Sequence, residues 1–123
     1  MGKKILIVDD IDFNIEFESK LIDNISKEKN ISIDIVSAKN VTDAIALIQD
    51  EEYDAIIVDM HLPDGTGVDI AKAAREKDKS TKIAALTIYP SEYEEHKEYF
   101  DLFLKKPIMI DSYKDNFIKL LQL

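Results

Sequence analysis

Several apolar runs in this sequence stop at residues whose side chains can take part in chemistry. Two acids follow the first run, a third acid follows a later run, and a hydroxyl and an ammonium close two more. In chain order these residues are Asp9, Asp10, Asp59, Thr87 and Lys106. Such runs are typical of buried strands, and ligands of open α/β sheets bind where the carboxyl ends of the strands meet. We therefore expect the five side chains to gather at one rim.

The three carboxylates at this rim indicate a cation site. Carboxylates held close together repel and raise each other's pKa unless a positive ion lies among them. Mg²⁺ suits such a place, because it binds one or two carboxylates and keeps positions for water and phosphate oxygens. We expect Mg²⁺, or another divalent cation such as Mn²⁺ or Ca²⁺ in its place. No organic cofactor is expected, because no glycine-rich phosphate loop follows the first run.

A carboxylate with one uncoordinated oxygen can attack phosphorus and form an aspartyl phosphate. Such a transfer depends mainly on positioning and on neutralising charge. Lys106 would supply a fixed positive charge for the incoming phosphoryl group, and Thr87 would supply a hydroxyl donor to one of its oxygens. The sequence therefore predicts phosphoryl chemistry at this rim.

The stretch around Asp59 indicates how such a residue is positioned. Residues 55–58 are apolar and mostly β-branched, which is typical of a strand buried on both faces. Pro63, Gly65 and Gly67 follow as turn residues. Asp59 should therefore stand at the carboxyl end of a central strand and face a crevice.

Four more strands are predicted along the chain. Residues 4–8 and 82–87 form largely apolar runs, residues 32–37 alternate between apolar and polar, and residues 102–105 form a short last run. The alternation indicates a strand with one wet face, as at the edge of a sheet.

Helical periodicity separates these strands. The first helix has an apolar stripe, formed by Phe13, Phe17, Leu21 and Ile25. Its polar face is expected to point outward and is formed by Asn14, Glu16, Glu18 and Lys20. Asn40 can cap the second helix. Ser91 and Glu94 form a capping-box pattern that opens a short acidic helix ending near Tyr99. Further helical patterns cover residues 68–79 and 113–121.

Five strands that alternate with five helices predict a parallel sheet covered on both faces. Because the first, third and fourth strands are buried and the second is an edge, the expected order is 2-1-3-4-5, with the second and fifth strands outermost. The predicted fold is a doubly wound, flavodoxin-like α/β fold. At 123 residues the chain fits one domain, residues 1–123.

Composition narrows the possible partners. The formal net charge of −9 argues against nucleic-acid binding, which needs clustered Lys and Arg. The absence of cysteine excludes disulfides and thiolate metal sites. No apolar stretch approaches the ~20 residues that span a bilayer. We expect a cytoplasmic protein without membrane contact.

Four short motifs occur in order along the chain. They are Val8-Asp9-Asp10, Asp59 with Pro63 and Gly67 after it, Thr87, and Lys106-Pro107. Each is weak alone, but the set, in this order on these strand ends, resembles the receiver domains of two-component response regulators. The resemblance covers essentially the whole chain.

The resemblance implies a role for each acid. Asp59 is then the phospho-acceptor, Asp10 binds Mg²⁺ directly, and Asp9 acts on the ion largely through water. The backbone carbonyl of His61 completes the metal ligands of the protein. Lys106 keeps the role of a fixed cation beside the phosphoryl group.

The resemblance also implies a switch and partners. Thr87 and Phe103 form the switch pair: the hydroxyl moves toward the phosphoryl group and the aromatic ring fills the vacated space. The phosphoryl group comes from a phosphohistidine on a sensor histidine kinase or a histidine phosphotransfer protein. A downstream protein target binds the fourth helix, fifth strand and fifth helix. The domain is then not an enzyme but a phospho-acceptor that assists its own phosphorylation and dephosphorylation.

The chain departs from the family pattern near the fourth helix. Ile88 follows Thr87 where receivers commonly have a small residue, so its side chain could restrict access to the phosphoryl group. Between Thr87 and Lys106 the chain is about one helical turn shorter than is usual, so the fourth helix should be short or distorted. Tyr99 and Phe100 replace the usual small pair before the fifth strand.

Plainer readings stay open. The early acids could serve only a helix dipole, Thr87 could bond only to its own loop, and Lys105 competes with Lys106 for the cationic role. The side chain of His61 is expected to flank the pocket rather than bind a metal. At the level of function, the alternatives are a phosphorylation-independent protein-binding module and, with less support, a magnesium-dependent phosphohydrolase.

Overall fold

A five-stranded parallel sheet forms the centre of the protein. The computed structural model describes residues 2–123, with the side chain of Tyr93 left aside, so Met1 of the predicted domain 1–123 lies outside the described residues. The strands are β1 (Gly2–Val8), β2 (Ser32–Ala38), β3 (Ala55–Asp59), β6 (Lys82–Thr87) and β7 (Leu102–Lys105). Their order is β2-β1-β3-β6-β7, all parallel. Counted within this sheet, the order is the predicted 2-1-3-4-5, which confirms the fold.

Five helices cover the two faces of the sheet. They are α1 (Asp12–Lys29), α2 (Val41–Asp50), α3 (Gly67–Lys77), α4 (Pro90–His96) and α5 (Ile110–Leu121), and a 3₁₀ turn, Lys97–Tyr99, follows α4. Apolar side chains of α2 and α3 pack on one face, and those of α1 and α5 pack on the other. None of the helices in the described part of the chain has the length and apolar character needed to cross a lipid bilayer.

The central strands are buried on both faces, as their sequences predict. Successive side chains of a strand point to opposite sides, so each run contributes to two cores. Ile56 and Val58 of β3 pack toward α2 and α3, while Ala55 and Ile57 pack toward α1 and α5. Because nothing polar interrupts these runs, the reactive side chains are confined to the strand ends.

A small antiparallel ladder, absent from the prediction, follows β3. Its strands are β4 (His61–Leu62) and β5 (Gly65–Thr66). Asp64, at its tip, accepts hydrogen bonds from the backbone N–H groups of Val41 and Thr42, at 2.7 and 3.0 Å, and so caps α2. These bonds lower the pKa of Asp64. The loop after Asp59 is therefore fixed to the neighbouring helix.

The predicted outward face of α1 is wrong at Glu18. That residue is completely buried, and its Oε1 accepts a 2.8 Å hydrogen bond from the Tyr113 hydroxyl of α5. Phe13, predicted to be buried, is 71% exposed. The helix is rotated so that Leu21, Ile22 and Glu18 face the sheet. This rotation brings a carboxyl group into an apolar core.

The predicted start of the fourth helix is also wrong. The helix begins at Pro90, because the fixed φ of proline suits the first position of a helix. Ser91 therefore lies inside the first turn instead of capping it. No side-chain cap is formed at Tyr89, the residue before the helix. The helix itself has only seven residues before the 3₁₀ turn, which confirms the expectation of a short element.

Candidate functional site

Three carboxylates meet at the carboxyl ends of β1 and β3. Asp9, Asp10 and Asp59 each offer an oxygen, and these oxygens lie within 4.8 Å of one another. Val8 and Val58 are neighbours in the parallel register of β1 and β3, so the residues that follow them emerge side by side. The structure thus brings together the three acids that the sequence placed at this rim.

Asp9 is the most constrained member of the trio. It is fully buried, and its Oδ1 accepts a 2.9 Å hydrogen bond from the Ile11 backbone N–H. The amide of Asn14, predicted to point outward, lies 3.3 Å from both Asp9 oxygens. Burial raises the pKa of Asp9, and the negative charge of Asp59 adds to this rise, while the Ile11 bond and the Lys106 charge partly oppose it. A further cation here would favour the ionised carboxylate.

Lys106 is the cation that the fold itself supplies. Its Nζ lies 2.9 Å from Asp59 Oδ2 and 3.6 Å from Asp9 Oδ2. Burial alone would lower the pKa of Lys106, but the hydrogen bond to Asp59 and the charges of both acids raise it above its ordinary value. The neighbouring Lys105 is exposed, because successive residues point to opposite sides of the strand end. Lys106, not Lys105, therefore lies at the acidic trio.

The loop after β3 orients the Asp59 carboxylate. The backbone N–H of His61 donates to Asp59 Oδ1 at 3.1 Å. Gly67 packs closely against the same backbone: a Cβ added there would lie 3.0 Å from the Asp59 carbonyl oxygen and 3.2 Å from Met60 Sδ. A side chain at position 67 would therefore press against the backbone that carries Asp59. The role of the His61 carbonyl as a metal ligand stays a prediction.

Thr87 stands at the carboxyl end of β6, beside β3. Its hydroxyl donates to Glu92 Oε1 at 3.0 Å and accepts from the Tyr89 backbone N–H at 3.0 Å. The same Glu92 oxygen lies 2.8 Å from His61 Nε2, and because a carboxylate only accepts, the ring donates from that nitrogen. The predicted bond from Thr87 to a phosphoryl oxygen stays a prediction.

Sequence reasoning missed Glu92. The capping-box pattern of Ser91 and Glu94 predicts a short acidic helix that starts too late and gives Glu92 no role. Pro90 was the available signal: a proline at the first helical position places Glu92 in the first turn, close to the end of β6. The site thus extends from the acidic trio through His61 to α4.

Phe103, the second member of the predicted switch pair, lies in β7 and is partly buried. In the parallel register it neighbours Ala85 of β6, two residues before Thr87. The structure thus places the two predicted switch residues on adjacent strands. Movement of the ring stays a prediction.

The donor set suits a hard divalent cation. The trio supplies only carboxylate oxygens, which are the ligands that Mg²⁺ and Ca²⁺ prefer, and the burial of Asp9 and Asp59 strengthens their attraction for a cation. Asp10 is exposed, so solvent and a phosphorylated ligand can reach the same place. Asp9, Asp10 and Asp59 are therefore the residues that would hold Mg²⁺.

The arrangement can do phosphoryl chemistry at Asp59. A carboxylate is positioned by a backbone N–H, a lysine lies within hydrogen-bond distance, and two further acids stand ready for a metal ion. Positioning and charge neutralisation are what phosphoryl transfer requires of a protein. The described residues provide both.

Comparison with known proteins points the same way. A profile of the response regulator receiver domain family matches residues 5–116. The chain is 36% identical over 61 residues to response regulator protein PilR of Pseudomonas aeruginosa. This match covers 50% of this chain and 14% of PilR. The chain is 29% identical to hybrid signal transduction histidine kinase L of Dictyostelium discoideum, over 85% of this chain and 6% of that protein. The chain thus spans only a small part of either relative.

Solved structures share the fold over nearly the full chain. The chemotaxis response regulator CheY4 of Vibrio cholerae has a TM-score of 0.85 at 25% identity, covering 98% of this chain and 100% of that one. The receiver domain of sensor histidine kinase PA1611 from Pseudomonas aeruginosa, solved with a magnesium ion in its active site cleft, has a TM-score of 0.82 at 19% identity, covering 100% of both chains. The second likeness concerns the fold alone.

Proposed function

The chain belongs to the response regulator receiver domain family, and from this premise we propose that Asp59 accepts a phosphoryl group from a phosphohistidine with the help of Mg²⁺. The observation that carries the proposal is the grouping of Asp59 with two further acids and the ammonium of Lys106. Each of these groups has a use in phosphoryl transfer to a carboxylate.

In the proposed step, an oxygen of Asp59 forms a bond to phosphorus while the phosphorus–nitrogen bond of the donor breaks. The electron pair of that bond stays on the departing imidazole. Lys106, 2.9 Å from Asp59, neutralises charge on the acceptor and on the transferred group. Asp9 and Asp10 would hold Mg²⁺ together with Asp59, and the bound ion would supply further charge neutralisation and orient the phosphoryl oxygens.

The protein is proposed to act as an acceptor rather than as an enzyme with a separate substrate. Each transfer consumes the free carboxylate of Asp59, and the aspartyl phosphate returns to the acid when water attacks phosphorus. The same residues would assist both steps, because both need the charge on the phosphoryl group neutralised. The phosphorylated form is therefore a temporary state of the domain.

A phosphohistidine donor has to reach Asp59 across the residues that border the site. Exposed apolar residues follow Asp10 and Lys106 within a few positions of the chain, namely Ile11 and Phe13 at the start of α1 and Met109 and Ile110 at the start of α5. We propose this border as the contact area for a sensor histidine kinase or a histidine phosphotransfer protein. The net charge of −9 agrees with a protein partner rather than a nucleic acid.

The output is proposed to pass through α4, β7 and α5 to a downstream protein target. A new charge at Asp59 would bias Thr87 and Phe103, which lie on the neighbouring strands β6 and β7 that α4 and α5 contact. The relatives carry much more chain than the matched part, so the domain joined to this receiver, if any, would decide the final response. We propose that the reaction takes place in the cytoplasm, on the basis of the family to which the chain belongs.

The test is phosphorylation by a small phosphodonor, followed by intact mass measurement. With Mg²⁺ the wild-type protein should gain the mass of one phosphoryl group, and chelation of the metal should prevent the gain. Asp59→Asn should abolish it. Asp115→Asn, at an exposed position of α5, is the matched control and should react as wild type. A gain that persists in Asp59→Asn, or sustained turnover of a phosphoester, would contradict the proposal.

A further inference from the structure

One carboxylate oxygen joins three elements beside the proposed phosphorylation site. Glu92 Oε1 accepts from the Thr87 hydroxyl at the end of β6 and from the His61 ring in the loop after β3. Glu92 itself lies in the first turn of α4, where its backbone N–H donates to the Tyr89 carbonyl at 3.0 Å. We call His61, Thr87 and Glu92 the Glu92 bridge.

The bridge uses the single proton that Thr87 can donate. A hydroxyl has one O–H donor, and Thr87 is only 1% exposed, so its proton has no alternative partner in water. A hydrogen bond from Thr87 to a phosphoryl oxygen on Asp59 therefore requires the bond to Glu92 to break. The two acceptors compete for one donor.

We propose that Glu92 is a positioning residue that holds Thr87 in the unphosphorylated state, and that phosphorylation of Asp59 transfers this hydrogen bond from Glu92 to the phosphoryl group. The inference rests on the proposed function, because it needs a phosphoryl group at Asp59. Glu92 acts through Thr87 and makes the phosphorylated state less favourable.

Electrostatics acts in the same direction. A phosphoryl group adds negative charge next to His61, whose backbone N–H already donates to Asp59 and whose ring contacts Glu92. The Glu92 side chain is only 29% exposed, so water screens its charge incompletely. Repulsion from the new charge would help to displace Glu92 once Thr87 has left it.

Release of Glu92 also changes α4. Residues 88–91 are exposed, so the contacts of Glu92 tie the start of this short helix to the site. When the bridge breaks, the first turn of α4 loses the two side-chain hydrogen bonds of Glu92, whereas Tyr89, just before the helix, still contacts Thr87 through its backbone N–H and His61 through its ring. The first turn of the proposed output surface is thus linked to the site through the Glu92 side chain.

The test is the affinity for beryllofluoride, a stable analogue of the phosphoryl group, measured by fluorine NMR in the presence of Mg²⁺. Glu92→Ala should bind the analogue about two- to tenfold more tightly than wild type, the equivalent of one hydrogen bond that no longer opposes binding. Glu92→Gln keeps an acceptor oxygen without the charge and should give a smaller gain. Glu95→Ala removes a charge from an exposed position of the same helix and should bind as wild type.

A double-mutant cycle separates the bridge from general charge effects. In a Thr87→Val background the Glu92→Ala gain should largely disappear, because no hydroxyl remains to compete for. Circular dichroism of each variant verifies folding, and Glu92→Gln carries the test if Glu92→Ala does not fold. An unchanged or weaker affinity in folded Glu92→Ala or Glu92→Gln, or an equal gain in the Thr87→Val background, would overturn the inference alone. Failure of the wild-type protein to bind the analogue would overturn the proposed function with it.

Discussion

Lys106 Nζ and Asp59 Oδ2 lie 2.9 Å apart, so the carboxylate of Asp59 has a cation in hydrogen-bond contact before any metal or phosphoryl group binds. The charges of Asp59 and Asp9 and the hydrogen bond to Asp59 outweigh the effect of burial and raise the pKa of Lys106. Lys106 therefore stays protonated throughout the physiological pH range. It neutralises part of the charge in the acidic trio, and it would compete with a bound divalent cation for the same oxygens.

Replacing Lys106 with methionine should strengthen divalent-ion binding and weaken phosphorylation. Removing the ammonium leaves the trio without its internal cation, so the affinity for Mg²⁺ should rise by about tenfold. The rate of phosphorylation by a small phosphodonor should fall, because the incoming group loses its fixed positive partner. Titration calorimetry gives the first quantity and intact mass against time gives the second.

The matched control for this variant is Lys105→Met, which removes the same charge from an exposed position next in the chain. It should leave both the Mg²⁺ affinity and the phosphorylation rate close to wild type, because exposed charges are screened by water and salt. Weaker Mg²⁺ binding by Lys106→Met than by Lys105→Met would contradict the hypothesis that the ammonium of Lys106 competes with the metal.

The parts of the site that follow from strand order could be predicted from the sequence. Apolar runs fixed β1, β3 and β6, and the parallel order then placed Asp9, Asp59 and Thr87 at one rim. Alternation along a strand also predicted that Lys105 and Lys106 point to opposite sides, so that only one of them reaches the trio. These patterns are local, and each can be recognised from a few consecutive residues.

The parts that depend on contacts between distant elements could not be predicted. Burial of Glu18 depends on the Tyr113 hydroxyl, which lies 95 residues away in the sequence. The capping of α2 by Asp64 joins residues more than twenty positions apart, and the contact of Glu92 with His61 spans 31 positions. No periodicity within one element carries such information, because the partner alone decides whether a polar group can be buried.

Glu18 should make the stability of the protein fall as the pH rises. Burial raises the pKa of Glu18 to about 8, and the hydrogen bond from Tyr113 offsets only part of this rise. The folded protein therefore keeps the proton longer than the unfolded chain does. The contribution of Glu18 is fully present below its ordinary pKa of 4.5 and is lost between that value and about 8, at up to about 1.4 kcal/mol per pH unit.

The measurement is the free energy of unfolding in urea at several pH values across this window, for wild type and for Glu18→Gln. Glutamine cannot lose a proton, so the variant should lack this part of the pH dependence. Its free energy of unfolding should therefore rise relative to that of wild type as the pH rises. Glu16→Gln, at an exposed position of the same helix, should follow the wild-type curve. Parallel curves for wild type and Glu18→Gln would show that Glu18 does not titrate in this window.

Gly67→Ala should disturb Asp59 through its backbone. The added Cβ would lie 3.0 Å from the Asp59 carbonyl and 3.2 Å from Met60 Sδ, which is closer than ordinary packing allows. The strain should lower the free energy of unfolding by about 1–3 kcal/mol and slow phosphorylation. Gly2→Ala, whose nearest contact would be an ordinary 3.7 Å, is the control and should change neither quantity appreciably. Wild-type stability in Gly67→Ala, measured by urea unfolding, would mean that the loop relaxes without cost.

Ile88 should limit how fast the phosphoryl group enters and leaves Asp59. The residue directly follows Thr87, and 51% of its surface is exposed, so its branched side chain stands in solvent next to the proposed site. Ile88→Ala should open this path and raise the rates of both phosphorylation and dephosphorylation by about threefold, which corresponds to a barrier lower by about 0.7 kcal/mol. Intact mass against time measures both rates. Ile110→Ala, at a similarly exposed isoleucine in α5, serves as the control and should keep the dephosphorylation rate of wild type. A decrease of either rate in Ile88→Ala would show that this side chain supports the reaction instead of obstructing it.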